Sequence, residues 1–184
     1  MKYNNKTIIT RYNNNESLKF LFFWGHQPNK DGSVGKSCFS QWWKSSFEIN
    51  GITYPTAEHY MMAGKAKVFN DEETLQEILS VNTPHQVKKL GRKVKNFSPE
   101  VWDQHKFEIV VKANYAKFSQ NKDLKEFLLN TKDRIIVEAS PVDSIWGVGM
   151  AADNPDVSNP NLWKGHNLLG YALMEVRDLL NKNS

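Results

Sequence analysis

Asn50-Gly51 stands between two short runs, SSFEI and ITYP, and constrains this chain more than any other feature. Asn-Gly accepts positive φ at both central positions of a tight turn, so the pair predicts a two-stranded hairpin. Pro55-Thr56 follows at once and fits a helix entry, with Thr56 as N-cap and Glu58 in the first turn, where the helix dipole favours a carboxylate. From Glu58, Met62 follows at i+4 and Lys65 at i+7, which puts the three on one face. A carboxylate and an ammonium two turns apart among apolar neighbours can line a pocket. The same spacing also describes a capping carboxylate and a solvated lysine on an ordinary amphipathic helix.

Length bounds the rest. With 184 residues, one domain spanning the chain is expected, its core running from about residue 20 to about 180 and burying about 70% of the unfolded surface. Hydrophobic residues make up 40% of the chain and six are Trp, which predicts a packed core. Cys38 is the single cysteine, so no intramolecular disulfide and no cysteine metal cluster can form, and it reads as an inert, half-buried thiol. No histidine pair has metal-ligand spacing, and neither a metal nor a cofactor is expected. No apolar run reaches the ~20 residues of a membrane span, and the polar start MKYNNKTIITRYNNN lacks a signal-peptide core, so a soluble cytoplasmic protein is expected. The net charge is +4, with Lys88, Lys89, Arg92, Lys93 and Lys95 in one run. That run is either a phosphate-binding patch or the solvated side of a short helix whose inward stripe is Val87, Leu90 and Val94.

Hydrophobic periodicity and helix punctuation give the organisation. Residues 1–16 read as a frayed, flexible terminus or as an edge strand through Thr7 to Thr10, and LKFLFFW as a buried strand. Helices are predicted from Glu58 to about Phe69, from Asp71 to Ser80, from Thr83-Pro84, from Ser98-Pro99 to about Ser119, from Asp123 to Leu129, and from Leu168 to Leu180. Phe97 and Trp102 stand at the N′ and N4 positions of a hydrophobic staple. RIIVEA is the clearest buried strand of the second half. Helices outnumber strands without regular alternation, so the fold class is α+β, a single mainly helical domain with a small sheet.

Four stretches together resemble one family. YPTAEHYMMAGKAKVF, SPEVWDQHKFEIV, ASPVDSIWGVG and NLLGYALMEVRDLL occur in the order and spacing of the YbiA-like or NADAR family, over roughly Phe20 to Leu180. The resemblance implies an N-glycosidase acting on ribosyl compounds. Its substrate would be a ribosylamino-pyrimidine phosphate of riboflavin synthesis or ADP-ribose on guanine, in a nucleotide or in nucleic acid. NLLGYALMEVR carries Leu168-Leu169 where some relatives have a basic residue such as arginine; if that arginine binds phosphate in those relatives, phosphate recognition here must come from elsewhere. The resemblance leaves oligomeric state open.

Glycoside hydrolysis uses carboxylates around an oxocarbenium-like transition state. Glu58 and Asp143 are the candidates; which is acid and which base is open. Asp143 follows the strand RIIVEA and otherwise reads as an Asx-turn aspartate, but it matches the family's acidic position before Trp-Gly. Trp146 and Gly147 suit stacking on a planar base with close backbone approach, or equally a core tryptophan beside a flexible turn. Trp102 is carried over from the resemblance as a substrate-binding residue as well as a staple. Lys65 either binds a phosphate as a cation or attacks the anomeric carbon as a desolvated amine. His59 points about 100° from Glu58 and reads as a packing or capping residue. A non-catalytic ADP-ribose or NAD reader is the alternative, and a nucleic-acid-binding module using the basic run is a third class.

Overall fold

The computed structural model describes residues 1–182. In order the elements are α1 (Asn5–Asn13), β1 (Phe20–Phe23), β2 (Phe47–Ile49), β3 (Ile52–Tyr54), α2 (Ala57–Val68), α3 (Glu72–Ser80), α4 (Pro84–Gly91), α5 (Pro99–Gln120), α6 (Lys122–Leu129), β4 (Ile135–Glu138) and α7 (Leu168–Lys182). Two units emerge, one from residues 1–40 together with residues 123–182, the other from 41–122. The α+β class with few strands is as the sequence predicts. None of the described helices is long and apolar enough to cross a membrane.

In the first unit β1 and β4 pair in parallel, Phe20 opposite Ile135 through Phe23 opposite Glu138. The apolar run Ile135, Ile136 and Val137 is buried throughout, as a strand covered on both faces must be. Helix α7 lies on β4 and sends Leu169, Leu173, Val176 and Leu180 into the core. Its buried Arg177 donates at 2.8 Å to Thr131 Oγ1 and at 2.8 Å to the Arg134 carbonyl.

The amino terminus corrects the sequence reading: residues 5–13 form a helix, not an edge strand or a frayed tail. Asn4 caps it by accepting from the Thr7 amide at 2.9 Å, and Ile8 is fully buried. Tyr171 Oη donates to Asn5 Oδ1 at 2.9 Å, and Asn5 Nδ2 to the Gly165 carbonyl at 2.9 Å. Asparagines that look like turn formers here cap and dock a short helix.

The second unit opens with the predicted hairpin. Asn50 and Gly51 take φ of 54° and 75°, and Phe47 faces Tyr54 across the strands with ring centroids 6.0 Å apart. Helix α2 is the centre of this unit and packs on α3, α4 and α5. Ala57, Glu58, His59, Met61, Met62, Ala63 and Ala66 are all buried, so α2 is enclosed on most of its circumference, not amphipathic. The predicted caps at Thr83 and Ser98 hold, their hydroxyls accepting from the amides of Gln86 and Val101 at 3.3 Å each, and Asp71 Oδ1 caps α3 by accepting from the Thr74 amide at 3.1 Å; Thr56 takes the N-cap position of α2 in its backbone but makes no side-chain cap hydrogen bond. Asp71 also accepts from the Lys95 amide at 2.8 Å, which pins the α4–α5 connection; these backbone and side-chain donors hold its carboxyl below the usual range.

Candidate functional site

Three of the singled-out residues, Glu58, Lys65 and Trp102, lie in the unit of residues 41–122; Asp143, Trp146 and Gly147 lie in the other. Glu58 occupies the second position of α2 and is only 6% exposed. Its backbone amide donates to the Gln41 carbonyl at 3.0 Å. A buried carboxylate so placed gains from the helix dipole but is largely removed from water. Its first-turn position is the one a capping carboxylate takes, but the helix around it is not the ordinary amphipathic one.

Two turns on, the half-buried Lys65 donates to the Gly91 carbonyl at 2.8 Å. Its Nζ also sits 4.0 Å from the Phe97 ring centroid and 6.0 Å from that of Trp102. Both staple residues at the start of α5 thus face one ammonium, and Phe97 packs edge-on against Phe69 at 5.3 Å. Burial lowers the Lys65 pKa below the ordinary lysine value. Lys65 and Trp102 are therefore brought together, around an amine that is easier to deprotonate than a surface lysine. His59 acts as the sequence suggests, through packing: Nδ1 meets Thr56 Oγ1 at 2.7 Å and Nε2 meets the Val81 carbonyl at 3.2 Å.

In the other unit Asp143 forms the Asx turn. Its Oδ1 accepts from the Ile145 and Trp146 amides at 2.9 and 2.8 Å. The Asp143 carbonyl accepts from the Gly149 amide at 3.1 Å, and the Glu138 carbonyl from Val148 at 2.9 Å. These two amides are used within the loop and do not face outward to a phosphate. Trp146 is half-buried. Gly147 is buried, and a Cβ there would stand 2.8 Å from the Glu138 carbonyl oxygen and 3.0 Å from that of Asp143, so close approach requires glycine.

Asn167 is the residue that sequence reasoning missed. Fully buried at φ 53°, it accepts from the Glu138 amide at 3.0 Å and donates through Nδ2 to the Ile136 carbonyl at 3.0 Å. Its own amide donates to the Gly147 carbonyl at 3.1 Å. One side chain thereby ties β4, the 143–149 loop and the start of α7. The signal is an asparagine directly before the last predicted helix.

The basic run is exposed at Lys88, Lys89, Arg92 and Lys93, while Lys95 pairs with Glu73 at 2.6 Å. Lys88 Nζ lies 5.6 Å from the Trp42 ring centroid. A cavity of about 430 Å³ in the first unit is lined by Tyr12, Glu16, Leu18, Phe20 and Phe22 among others, and by none of the singled-out residues.

Comparison with known proteins places these residues in a family context. The family profile described as NADAR domain matches residues 22–181. An N-glycosidase of Acanthamoeba polyphaga mimivirus is 44% identical over 168 residues, 89% of this chain and 97% of that relative. The N-glycosidase YbiA of Escherichia coli is 35% identical over 144 residues, 78% of this chain and 79% of that protein. The solution structure of E. coli YbiA superposes with a TM-score of 0.71 at 30% identity, covering 90% of this chain and 86% of that one.

Proposed function

We propose, from the premise that the chain belongs to the NADAR domain family and is an N-glycosyl hydrolase like its curated relatives, that it cleaves the C–N bond between a phosphorylated ribose or ADP-ribose and a base or amine. The observation that carries this reading is the burial of Glu58, 6% exposed at the start of the central helix of its unit. A carboxylate withdrawn from water is suited to stabilise a positive ribosyl centre or to activate the attacking water. Trp102 supplies an aromatic surface and Lys65 a cation beside it, a pairing that suits a planar base and an anionic phosphate. Asp143 fixes the Trp146–Gly147 turn through Oδ1 and keeps Oδ2 as the atom with which it would meet a substrate.

Two substrates fit: a phosphorylated ribosylamino-pyrimidine, whose removal limits damage by a reactive intermediate, and ADP-ribosylated guanine. The exposed cations at Lys88, Lys89, Arg92 and Lys93 favour the second when guanine is carried on a nucleic acid. Wild type and Glu58→Gln are incubated with both compounds and products are identified by mass spectrometry. Free ADP-ribose from wild type alone makes the protein a modification eraser; ribose 5-phosphate makes it a metabolite-clearing hydrolase. Binding of either without turnover overturns the enzymatic reading in favour of a non-catalytic ADP-ribose or NAD reader.

A second mechanistic reading starts from the half-buried Lys65 amine beside Trp102: its Nζ bonds to the anomeric carbon as the C–N bond to the base breaks and the base leaves with a proton, and opening of the ribose ring then gives a Schiff base. Borohydride added during turnover traps such an adduct as a stable mass increase on Lys65, and its absence in a turning-over sample rules the covalent route out.

A further inference from the structure

Thr56 is the N-cap of α2 by backbone, with φ −146° and ψ 162°, but its hydroxyl makes no cap hydrogen bond because it is engaged with His59 Nδ1. The first N–H groups of a helix need an acceptor from outside it. That of Glu58 finds one in the Gln41 carbonyl, 3.0 Å away. Gln41 lies in the irregular stretch before β2, and its side chain fixes its place: Oε1 accepts from Asn114 Nδ2 of α5 at 2.7 Å. Asn114 Nδ2 also donates to the Val110 carbonyl at 2.9 Å, so the amide can be oriented only one way. Gln41 is 7% exposed and Asn114 is fully buried.

This link is not what packing alone would select. Gln41 Nε2 and Asn114 Oδ1 are buried and have no hydrogen-bond partner among the described residues. An apolar pair of the same shape would bury neither atom. A buried polar chain that adds little net stability but fixes one geometry is expected where a functional group must be held accurately.

We propose that Gln41 and Asn114 are positioning residues for Glu58, setting the first turn of α2 by a chain that runs from Asn114 through the Gln41 side chain to the Gln41 carbonyl. This rests on the reading of Glu58 as a carboxylate of the glycosidase site. Displacing a reacting group by about 1 Å can lower turnover roughly 100-fold without changing what binds.

Gln41→Met and Asn114→Leu keep volume and remove the polar link, while Gln41→Glu keeps an acceptor for Asn114 Nδ2. Each is compared with wild type for kcat and KM on ADP-ribosylated guanine and on the phosphorylated ribosylamino-pyrimidine, and for amide exchange at Glu58 and Met62. We expect kcat to fall about tenfold or more in the first two variants, with KM within about twofold. Exchange is expected to quicken at Glu58 and not at Met62, and Gln41→Glu to recover both properties. In a Glu58→Gln background the same substitutions should change single-turnover rates no further. Unchanged kcat in folded variants, or an equal loss in that background, overturns the proposal. Should the Met and Leu variants not fold, Gln41→Glu decides: lost turnover with a protected Glu58 amide overturns it. If wild type cleaves neither compound, the glycosidase reading fails on its own. Unchanged Glu58 exchange in Gln41→Met and Asn114→Leu then sinks the positioning link separately.

Discussion

Lys65 Nζ donates to the Gly91 carbonyl at 2.8 Å, so a residue singled out for chemistry also closes the C-terminus of α4. The last carbonyls of a helix lack intrahelical donors and carry the negative end of its dipole, and a cation there satisfies both. Gly91 in turn fits against α2 so closely that a Cβ would stand 2.1 Å from Met62 Sδ and 3.3 Å from Met62 Cβ. Met62 and Lys65 therefore hold the end of α4 together.

Two substitutions separate these contributions. Gly91→Ala leaves the carbonyl in place but forces Met62 out of its rotamer, and is expected to destabilise by about 1–3 kcal/mol. Lys65→Met removes the charged donor at a half-exposed position and is expected to cost about 1–2 kcal/mol, together with activity. Urea unfolding reads the first effect and turnover the second. Full activity in a folded Lys65→Met variant would leave Lys65 with the helix-capping role alone.

Asp143 poses the same question of structure against chemistry in the other unit. Asparagine keeps the Oδ1 acceptor for the Ile145 and Trp146 amides and removes the charge, whereas alanine removes both. Asp143→Asn is expected to match wild type in unfolding midpoint, and Asp143→Ala to lose about 1–2 kcal/mol as two amides lose their acceptor. If the carboxylate takes part in the reaction, both variants lose turnover by about 100-fold or more. If it serves only the turn, Asp143→Asn remains active.

Asn167 carries a larger structural load than either. Asn167→Ala leaves the Glu138 amide and the Ile136 carbonyl without their partner in the core and puts at φ 53° a residue that tolerates the left-handed region less well than asparagine. The expected loss is about 3 kcal/mol or more. Asn167→Gly relieves the backbone but not the two hydrogen bonds, and is expected to be nearly as damaging. A glycine variant as stable as wild type would mean that conformation, not the amide, is what the position requires.

What the sequence discloses follows the range of the interactions. The Asn50-Gly51 turn, the caps at Thr83 and Ser98, and the buried run at Ile135 are decided by neighbours within a few residues, and all were legible. α1 was not, because Asn4 and Asn5 look like turn formers until Tyr171 and Gly165 are brought to them from far along the chain. Glu58 could be placed on its helix but not in or out of water, since its burial depends on the helices packed around α2. Likewise Asn167 shows its value only when β4 and the 143–149 loop meet it, and Gln41 only when α5 presents Asn114.

His59 makes the stability of this chain depend on pH in a defined window. It is 2% exposed, and burial pushes its pKa below the ordinary value of 6.5, partly offset by its hydrogen bond to the Val81 carbonyl. Nε2 donates to that carbonyl and Nδ1 accepts from Thr56, so the ring is held neutral. Above pH 6.5 the folded and unfolded chains both carry a neutral ring, and His59 adds no slope. Below it the unfolded chain takes up a proton that the folded chain resists, so stability falls as pH drops from 6.5 toward the lowered folded value. The depressed carboxyl of Asp71 acts in the same direction, but only as pH falls into the carboxylate range near 3.8. Between pH 7 and 5 the unfolding midpoint in urea is therefore expected to decline in wild type and much less in His59→Gln, which is less stable at neutral pH but lacks the titrating ring. Parallel curves for the two proteins across that interval would show that the ring titrates alike in both states and that its burial is not felt by the proton.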